Sequence, residues 1–289
     1  MMRPGPVTFL KQSLKSESYY ADEIVNIYLL RPIAAIFVWL LYSTRITPNQ
    51  VTLFAIILGL AGALAYTFGT PHAIAVAGSL ILAKDIFDDV DGQLARAKKM
   101  YSRRGRFLDS IGDFIVDLAV FTAITCVVYQ TNPTFQTILL GVLSFAGITL
   151  RVSYHVYYQV SFFHLEDRYK LNRIAEEITD DDRKGDPVAL RLQKIFILIY
   201  GWQDRLMYRI DKWCKGKNFN EKLLPTWYSD RLALRLSGLI GFGTEFTLLA
   251  VCSFLNELHT YLLLNVFMMN GIWLGSVFYR RFILAKNLK

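Results

Sequence analysis

The sequence predicts an all-α fold: a polytopic integral membrane protein with six transmembrane helices, an N-terminal amphipathic helix at the interface, and both termini in the cytoplasm. Three observations predict it. Of the 289 residues, 53% are hydrophobic, above the roughly 45–50% of ordinary soluble domains. The apolar residues gather in six blocks, roughly 50–69, 73–90, 107–129, 134–157, 236–255 and 260–279, each near the ~20 residues a helix needs to cross the hydrocarbon core. The links between blocks alternate in charge. A soluble helical core of this size would not leave so many uncharged runs.

In chain order, the first twenty residues, MMRPGPVTFLKQSLKSESYY, lack a long apolar core and a small-residue cleavage site; no cleavable signal peptide is expected. Residues 22–46 are apolar but interrupted by Arg31-Pro32, and the run left before Arg45 is short for a span. An interfacial helix suits them better, with Trp39 and Tyr42 at headgroup depth. Residues 1–46 are thus read as a cytoplasmic N-terminus and interfacial helix, and 47–162 as spans one to four. The links FGTPHA (68–73), QTNPT (130–134) and NELHT (256–260) carry no Lys or Arg, whereas ARAKKMYSRRGR (95–106), the segment 163–235 and the C-terminal tail are rich in them. Positive charge marks the cytoplasmic side, which fixes the orientation. Residues 163–230 read as a cytoplasmic insertion: 165–187 charged and solvated, 190–214 mixing apolar with basic residues as a membrane-surface helical pair. Residues 231–289 hold spans five and six and a basic tail. The three cysteines, Cys126, Cys214 and Cys252, are isolated and suggest neither a disulfide framework nor a zinc site.

Residues 84–117, KDIFDDVDGQLARAKKMYSRRGRFLDSIGDFIVD, lay a row of aspartates between two apolar blocks. Asp88 and Asp91 are three apart, and Asp109 and Asp113 four apart, so each pair shares a helix face. One pair ends a span and the other begins the next, at the same membrane surface. Four converging carboxylates repel and take up protons unless a cation sits among them. Hard divalent ions with oxygen ligands, Mg²⁺ or Mn²⁺, fit best, and a pair of ions can clamp phosphate oxygens. Gly92 and Gly105 let the backbone approach a bulky ligand, and Arg96 can fork onto phosphate.

The spacing D-x2-D-G-x2-A-R-x8-G-x3-D-x3-D runs through Asp88, Asp91, Gly92, Ala95, Arg96, Gly105, Asp109 and Asp113. At every fixed position it resembles the signature of the CDP-alcohol phosphotransferase family. The resemblance covers about residues 47–160, is weaker over 231–285, and assigns no counterpart to 163–230. It implies an enzyme that cleaves a CDP-linked donor at its pyrophosphate, transfers the phosphoryl-bearing part to an alcohol and releases CMP. By similarity, Asp88, Asp91, Asp109 and Asp113 hold one or two divalent ions, and Asp113 is the general base for the acceptor hydroxyl. Gly92, Ala95 and Gly105 line the nucleotide cleft, and Arg96 contacts phosphate. The segment RITPNQVT (45–52) resembles the family's TPN segment, which places Asn49 and Thr52 at the nucleotide; Thr47 and Pro48 also suit a helix start. A homodimer is the family habit, and Ser237 and Gly241 have a close-packing spacing. Partners are then the CDP-linked donor, the alcohol acceptor and membrane lipids, with no nucleic acid expected.

Other charges fall outside the motif. Lys84 stands four before Asp88, an ion-pair spacing. Asp117 continues the 109–113 stripe one turn deeper, where an acid should face the bundle interior. It either supports the structure or orients a ligand. Glu245 sits mid-span, open to a dimer contact or a polar head. Arg151 is a candidate phosphate contact for the acceptor. Arg231, Arg235 and Arg280, with Arg281, are weaker candidates, because positive-inside anchoring explains them equally. The donor is expected to be CDP-diacylglycerol, with an inositol phosphate, glycerol phosphate or serine as acceptor, in phospholipid synthesis in the cytoplasmic membrane of a prokaryote. The alternative is a CDP-linked polar alcohol donor with a lipid or soluble alcohol acceptor. A cation transporter is a remote reading, since transporter sites lie near the midplane, as is a catalytically dead scaffold.

Overall fold

The structure is a computed structural model that describes residues 20–165 and 176–288. The reading of residues 1–19 lies outside the described residues, as does part of the 163–187 stretch. All regular elements among the described residues are helical. The chain order is α1 (Asn26–Tyr42), α2 (Pro48–Thr67), α3 (Pro71–Lys98), α4 (Arg103–Thr131), α5 (Phe135–Leu165), α6 (Asp180–Lys184), α7 (Pro187–Lys215), α8 (Leu224–Ser229), α9 (Arg231–Phe254) and α10 (Leu258–Asn287).

Five of these, α2, α4, α5, α9 and α10, are long and apolar enough to cross a membrane. Helix α3 is as long, at 28 residues, but it carries Lys84 at its middle and four aspartates in its second half. Their outer faces keep large apolar side chains uncovered, among them Leu64, Phe135, Val142 and Phe267. Such faces suit lipid rather than water.

Local chemistry starts each helix. Thr47 caps α2, and Gln50 reaches back to the Thr47 N–H at 2.9 Å, a capping box that satisfies free amides at both positions. Ser102 caps α4 by accepting from the Gly105 N–H at 2.9 Å. Helix α2 packs against both α3 and α4. Gly59 and Gly62 permit this, since a Cβ at either would run into Val116 or Ile81. Helix α1 buries Ala34 and Val38 against Val51, Val90 and Leu94, and so braces the motif end of α3.

Two expectations change. Residues 190–214 form one continuous helix, not a pair. Asp186 caps it at 3.1 Å, no proline interrupts its interior, and it ends at Gly216, whose φ of +80° suits glycine. Gly241 also has an intrachain use: a Cβ there would meet the Glu23 carboxylate, and Ser237 is buried.

Candidate active site

The motif sits where the end of α3 faces the start of α4, joined by four residues in which Lys99 takes a left-handed turn (φ +56°). Asp88 and Asp91 come from α3, and Asp109, Asp113 and Asp117 from α4. Asp88, Asp91 and Asp109 each offer an oxygen within 4.8 Å of the others. Asp109 Oδ1 is buried without a hydrogen-bond partner. An all-carboxylate trio with an unsatisfied oxygen is a fitting donor set for a hard divalent cation, and these three can hold one.

Asp113 stands slightly apart. It is ion-paired with Lys84, whose ammonium also lies 3.9 Å from Asp88. Lys84 is 1% exposed and lies 5.8 and 5.6 Å from the ring centres of Phe242 and Phe246. A buried lysine needs such partners to keep its charge. The helical spacing pointed Lys84 to Asp88; the packing of α3 beside α4 gives it mainly to Asp113.

The residues expected at the nucleotide gather at the same end. Thr52 Oγ1 donates to Asp91 Oδ2 at 2.5 Å. Asn49 is exposed and accepts from Ser102 Oγ at 3.5 Å. Gly105 lets the two helix starts meet, since a Cβ there would collide with Asn49 Oδ1. Gly92 is different: a Cβ would meet only Arg96 Nη1, at 3.5 Å, so the protein itself leaves room there. Ala95 is half-buried and Arg96 exposed beside it.

The arginines expected at the acceptor lie elsewhere. Arg151 is fully buried and ion-paired with Glu245 at 2.7 Å. Arg280 lies 3.5 Å from the ring centre of Tyr158 and donates to Trp227 O at 3.2 Å. Arg231 and Arg235 lie 4.6 and 5.2 Å from the Tyr20 ring centre.

The segment with no assigned counterpart supplies residues the sequence did not single out. Helix α7 packs on α4 through Phe196 against Phe107 and through Tyr200 OH to Ser110 O at 2.7 Å. The chain before it is held to α4 by charge. Arg103 pairs with Glu176 and Asp182, Arg104 with Asp186, and Arg106 with Glu176 at 2.7 Å. The Arg103 guanidinium holds the Asp182 carboxyl well below the usual carboxylate range. Burial pushes Asp204, on the inner side of α7, up to about 6, with Arg106 opposing. Together α4, α5 and α7 enclose a cavity of about 300 Å³ that reaches Asp109, Asp113 and Asp117.

Over 90 residues the chain is 38% identical to the bifunctional IPC transferase and DIPP synthase of Archaeoglobus fulgidus, covering 31% of this chain and 17% of that protein. It is 40% identical over 73 residues to the protein of the same name from Thermococcus kodakarensis, covering 25% and 16%. For that of Aquifex aeolicus it is 35% over 80 residues, covering 28% and 18%. The matched stretch therefore spans less than a fifth of each relative. The CDP-alcohol phosphatidyltransferase pattern matches residues 45–208, from the start of α2 well into α7. That match takes in more than half of the chain, the whole aspartate motif and most of the helix that closes the cavity. The chain therefore belongs to the CDP-alcohol phosphatidyltransferase family, a family of phosphate-group transferases.

Proposed function

We propose that this enzyme transfers a substituted phosphoryl group from a CDP-linked donor, foremost CDP-diacylglycerol, to the hydroxyl of a polar alcohol and releases CMP. One observation carries the reading: three carboxylates lie within 4.8 Å of one another, and one of them, Asp109, lines a cavity together with a fourth, Asp113. Asp88, Asp91 and Asp109, with Asp113, are the ligands for one or two Mg²⁺ or Mn²⁺ ions. Bound there, a divalent ion supplies positive charge against the donor's pyrophosphate.

The rest falls to the chain's own residues. Thr52 fixes the Asp91 carboxylate in place. Asn49, Gly92, Ala95, Arg96 and Gly105 form the nucleotide side, with Arg96 toward phosphate. Asp113 accepts the proton of the acceptor hydroxyl, which requires that hydroxyl within hydrogen-bond reach. The acceptor oxygen bonds to the donor's distal phosphorus. The bond from that phosphorus to the bridging oxygen breaks, and CMP departs with the electron pair. Lys84 holds Asp113 oriented between turnovers. The helices that wall the cavity exclude water, which would otherwise compete as acceptor.

The same reading extends to topology. Helix α3 serves as a sixth span, α1 lies at the interface, both termini and the motif face the cytoplasm, and the enzyme works in phospholipid synthesis at a prokaryotic inner membrane as a homodimer. Residues 47–162 form the catalytic span set, and 231–289 close the bundle.

The test is CMP release by the purified protein in lipid, with Mg²⁺ or Mn²⁺, CDP-diacylglycerol and a panel of polar alcohols. CMP should form with at least one acceptor and be lost on chelation. Asp113→Asn should lower turnover by roughly 10²–10⁴-fold and still bind CDP. Failure of the wild-type protein to bind CDP with metal would refute the reading.

A further inference from the structure

The lining of the cavity behind Asp113 constrains what can enter it. Outside the motif, three acids face the space, Asp117, Glu176 and Asp204. Among the described residues one cation lines it, Arg106, and its guanidinium is drawn onto Glu176 at 2.7 Å. Four of the five lining hydroxyls, all but that of Ser110, are turned to protein acceptors. Tyr200 donates to Ser110 O at 2.7 Å, Tyr157 to Asp211 at 3.3 Å, Thr149 to Phe145 O at 2.8 Å, and Ser153 bonds Gln203. These groups offer an incoming ligand few donors.

What stands open is an acceptor. Asp117 is 5% exposed, it lines the cavity, and its Oδ1 is buried with no hydrogen-bond partner. Buried polar atoms are nearly always paired, and an exception calls for an explanation. A ligand that donates to Asp117 supplies one.

Charge points the same way. A phosphomonoester entering here would meet the carboxyls of Asp117 and Asp204, and among the described lining residues the one cation is Arg106, already drawn onto Glu176. The arginines that sequence offered to a phosphate are spent elsewhere: Arg151 on Glu245, and Arg280 over Tyr158. Cations at Asp88, Asp91 and Asp109 would serve the donor's pyrophosphate. The volume, about 300 Å³, is at the lower end for small-molecule pockets.

We infer that this cavity takes an alcohol acceptor that carries further hydroxyl or ammonium donors and no phosphate. The inference rests on the transferase reading above; of the acceptors the sequence suggested, it retains serine and departs from inositol phosphate and glycerol phosphate. Neutral polyols and amino alcohols share the required chemistry, and the experiment separates them.

The full chain in lipid, with Mg²⁺ and CDP-diacylglycerol, is assayed for CMP release with glycerol against glycerol 3-phosphate, inositol against inositol phosphate, and with serine and ethanolamine. At least one phosphate-free alcohol should exceed every phosphorylated one in kcat/KM by about tenfold or more. Asp117→Asn should raise the acceptor KM about tenfold, the scale of one hydrogen bond, and leave the KM for CDP-diacylglycerol unchanged. Asp204→Asn, on α7, is the second variant should Asp117→Asn fail to fold, with a smaller shift in the same direction. A phosphorylated alcohol as the better substrate, or unchanged acceptor KM in the folded variants, overturns the inference. Should no alcohol yield CMP, the same panel is read by thermal shift of the protein loaded with Mg²⁺ and CMP. Stabilisation by a phosphate-free alcohol, lost in Asp117→Asn, then upholds the inference; stabilisation by none, or by phosphorylated ones alone, overturns it. Failure to bind CMP at all strikes the transferase reading itself.

Discussion

The buried pair of Arg151 and Glu245 offers the sharpest test of the packing. The two side chains meet at 2.7 Å, both at 0% exposure, and tie α5 to α9. Arg151 also donates to Asn270 Oδ1 at 2.7 Å and Asn265 O at 3.1 Å, and Glu245 accepts from Tyr261 OH at 2.7 Å and Asn265 Nδ2 at 2.5 Å. The cluster thus binds α10 as well. Glu245→Leu leaves a buried guanidinium without its counter-charge, which costs about 3–5 kcal/mol; Arg151→Met does the same to the carboxylate. At roughly 2–4 °C per kcal/mol, each single variant should melt about 6–20 °C lower in detergent. The double variant removes both charges. It leaves no unpaired buried charge, and a buried ion pair replaced whole by apolar side chains is often near neutral, so it should be more stable than either single variant. Thermal melting of the four proteins closes the cycle. Additive losses, or single losses under about 1 kcal/mol, would refute the pairing. A raised acceptor KM in Arg151→Met with unchanged melting would make Arg151 a ligand contact after all.

Three further predictions follow from the site and its surroundings. Gly92→Ala should fold with undiminished stability, because its Cβ meets only Arg96 at 3.5 Å and alanine favours the helix by about 0.5–1 kcal/mol; a raised KM for the CDP-linked donor would place the nucleotide against it, and an unchanged one would not. Lys84→Met deprives Asp113 of its cation and should lower the melting temperature most in chelator, with Mg²⁺ restoring part of the loss; equal losses in both conditions would separate Asp113 from the metal. Glu23 precedes α1, and burial pushes its carboxyl up to about 8, against a lowering hydrogen bond from the Thr244 N–H. Its folded form binds a proton that the unfolded chain has released above about pH 4.3, so stability falls as pH rises from there through about 8. Glu23→Gln should flatten that loss, melting higher than wild type at pH 8 and close to it at pH 4; the same slope in both proteins would assign the loss to another group.

The spans were legible because lipid imposes a length and an apolar composition that few other environments do. The block at 73–90 shows where that signal fails. Its helix runs on to Lys98, and the aspartates of the motif lower the hydropathy of the helix that bears them. The motif was legible for the opposite reason: i+3 and i+4 spacings dictate a shared face wherever a helix forms. Helix α7 was not legible as a wall of the site. Its anchors join Arg103 to Glu176 and Asp182, and Arg104 to Asp186, across 73 to 82 residues of sequence, and opposite charges in two segments set no register by themselves. Arg151 and Glu245 carried a usable signal. Each is a lone charge in an apolar span, and such charges seek each other in the bundle interior.

The distribution of unsatisfied acids gives the strongest argument that the α3–α4 surface is built for ligands. Away from it, buried carboxylates are matched. Glu245 has an arginine and two hydrogen bonds. Asp211 accepts from Tyr158, Trp227 and Tyr228 and pairs with Lys215 at 2.7 Å. Glu176 and Asp182 share Arg103 and Gln193. Among the described residues, the buried carboxylate oxygens without a hydrogen-bond partner belong to Asp85, Asp89, Asp109 and Asp117, all on α3 and α4. Each such oxygen costs about 1–3 kcal/mol or more, and the fold shows elsewhere that it can satisfy an acid. Local rules are broken where function requires it. In the proposed reaction the missing partner of Asp109 is a cation shared with Asp88 and Asp91, and that of Asp117, one turn beyond Asp113, is a donor on the acceptor.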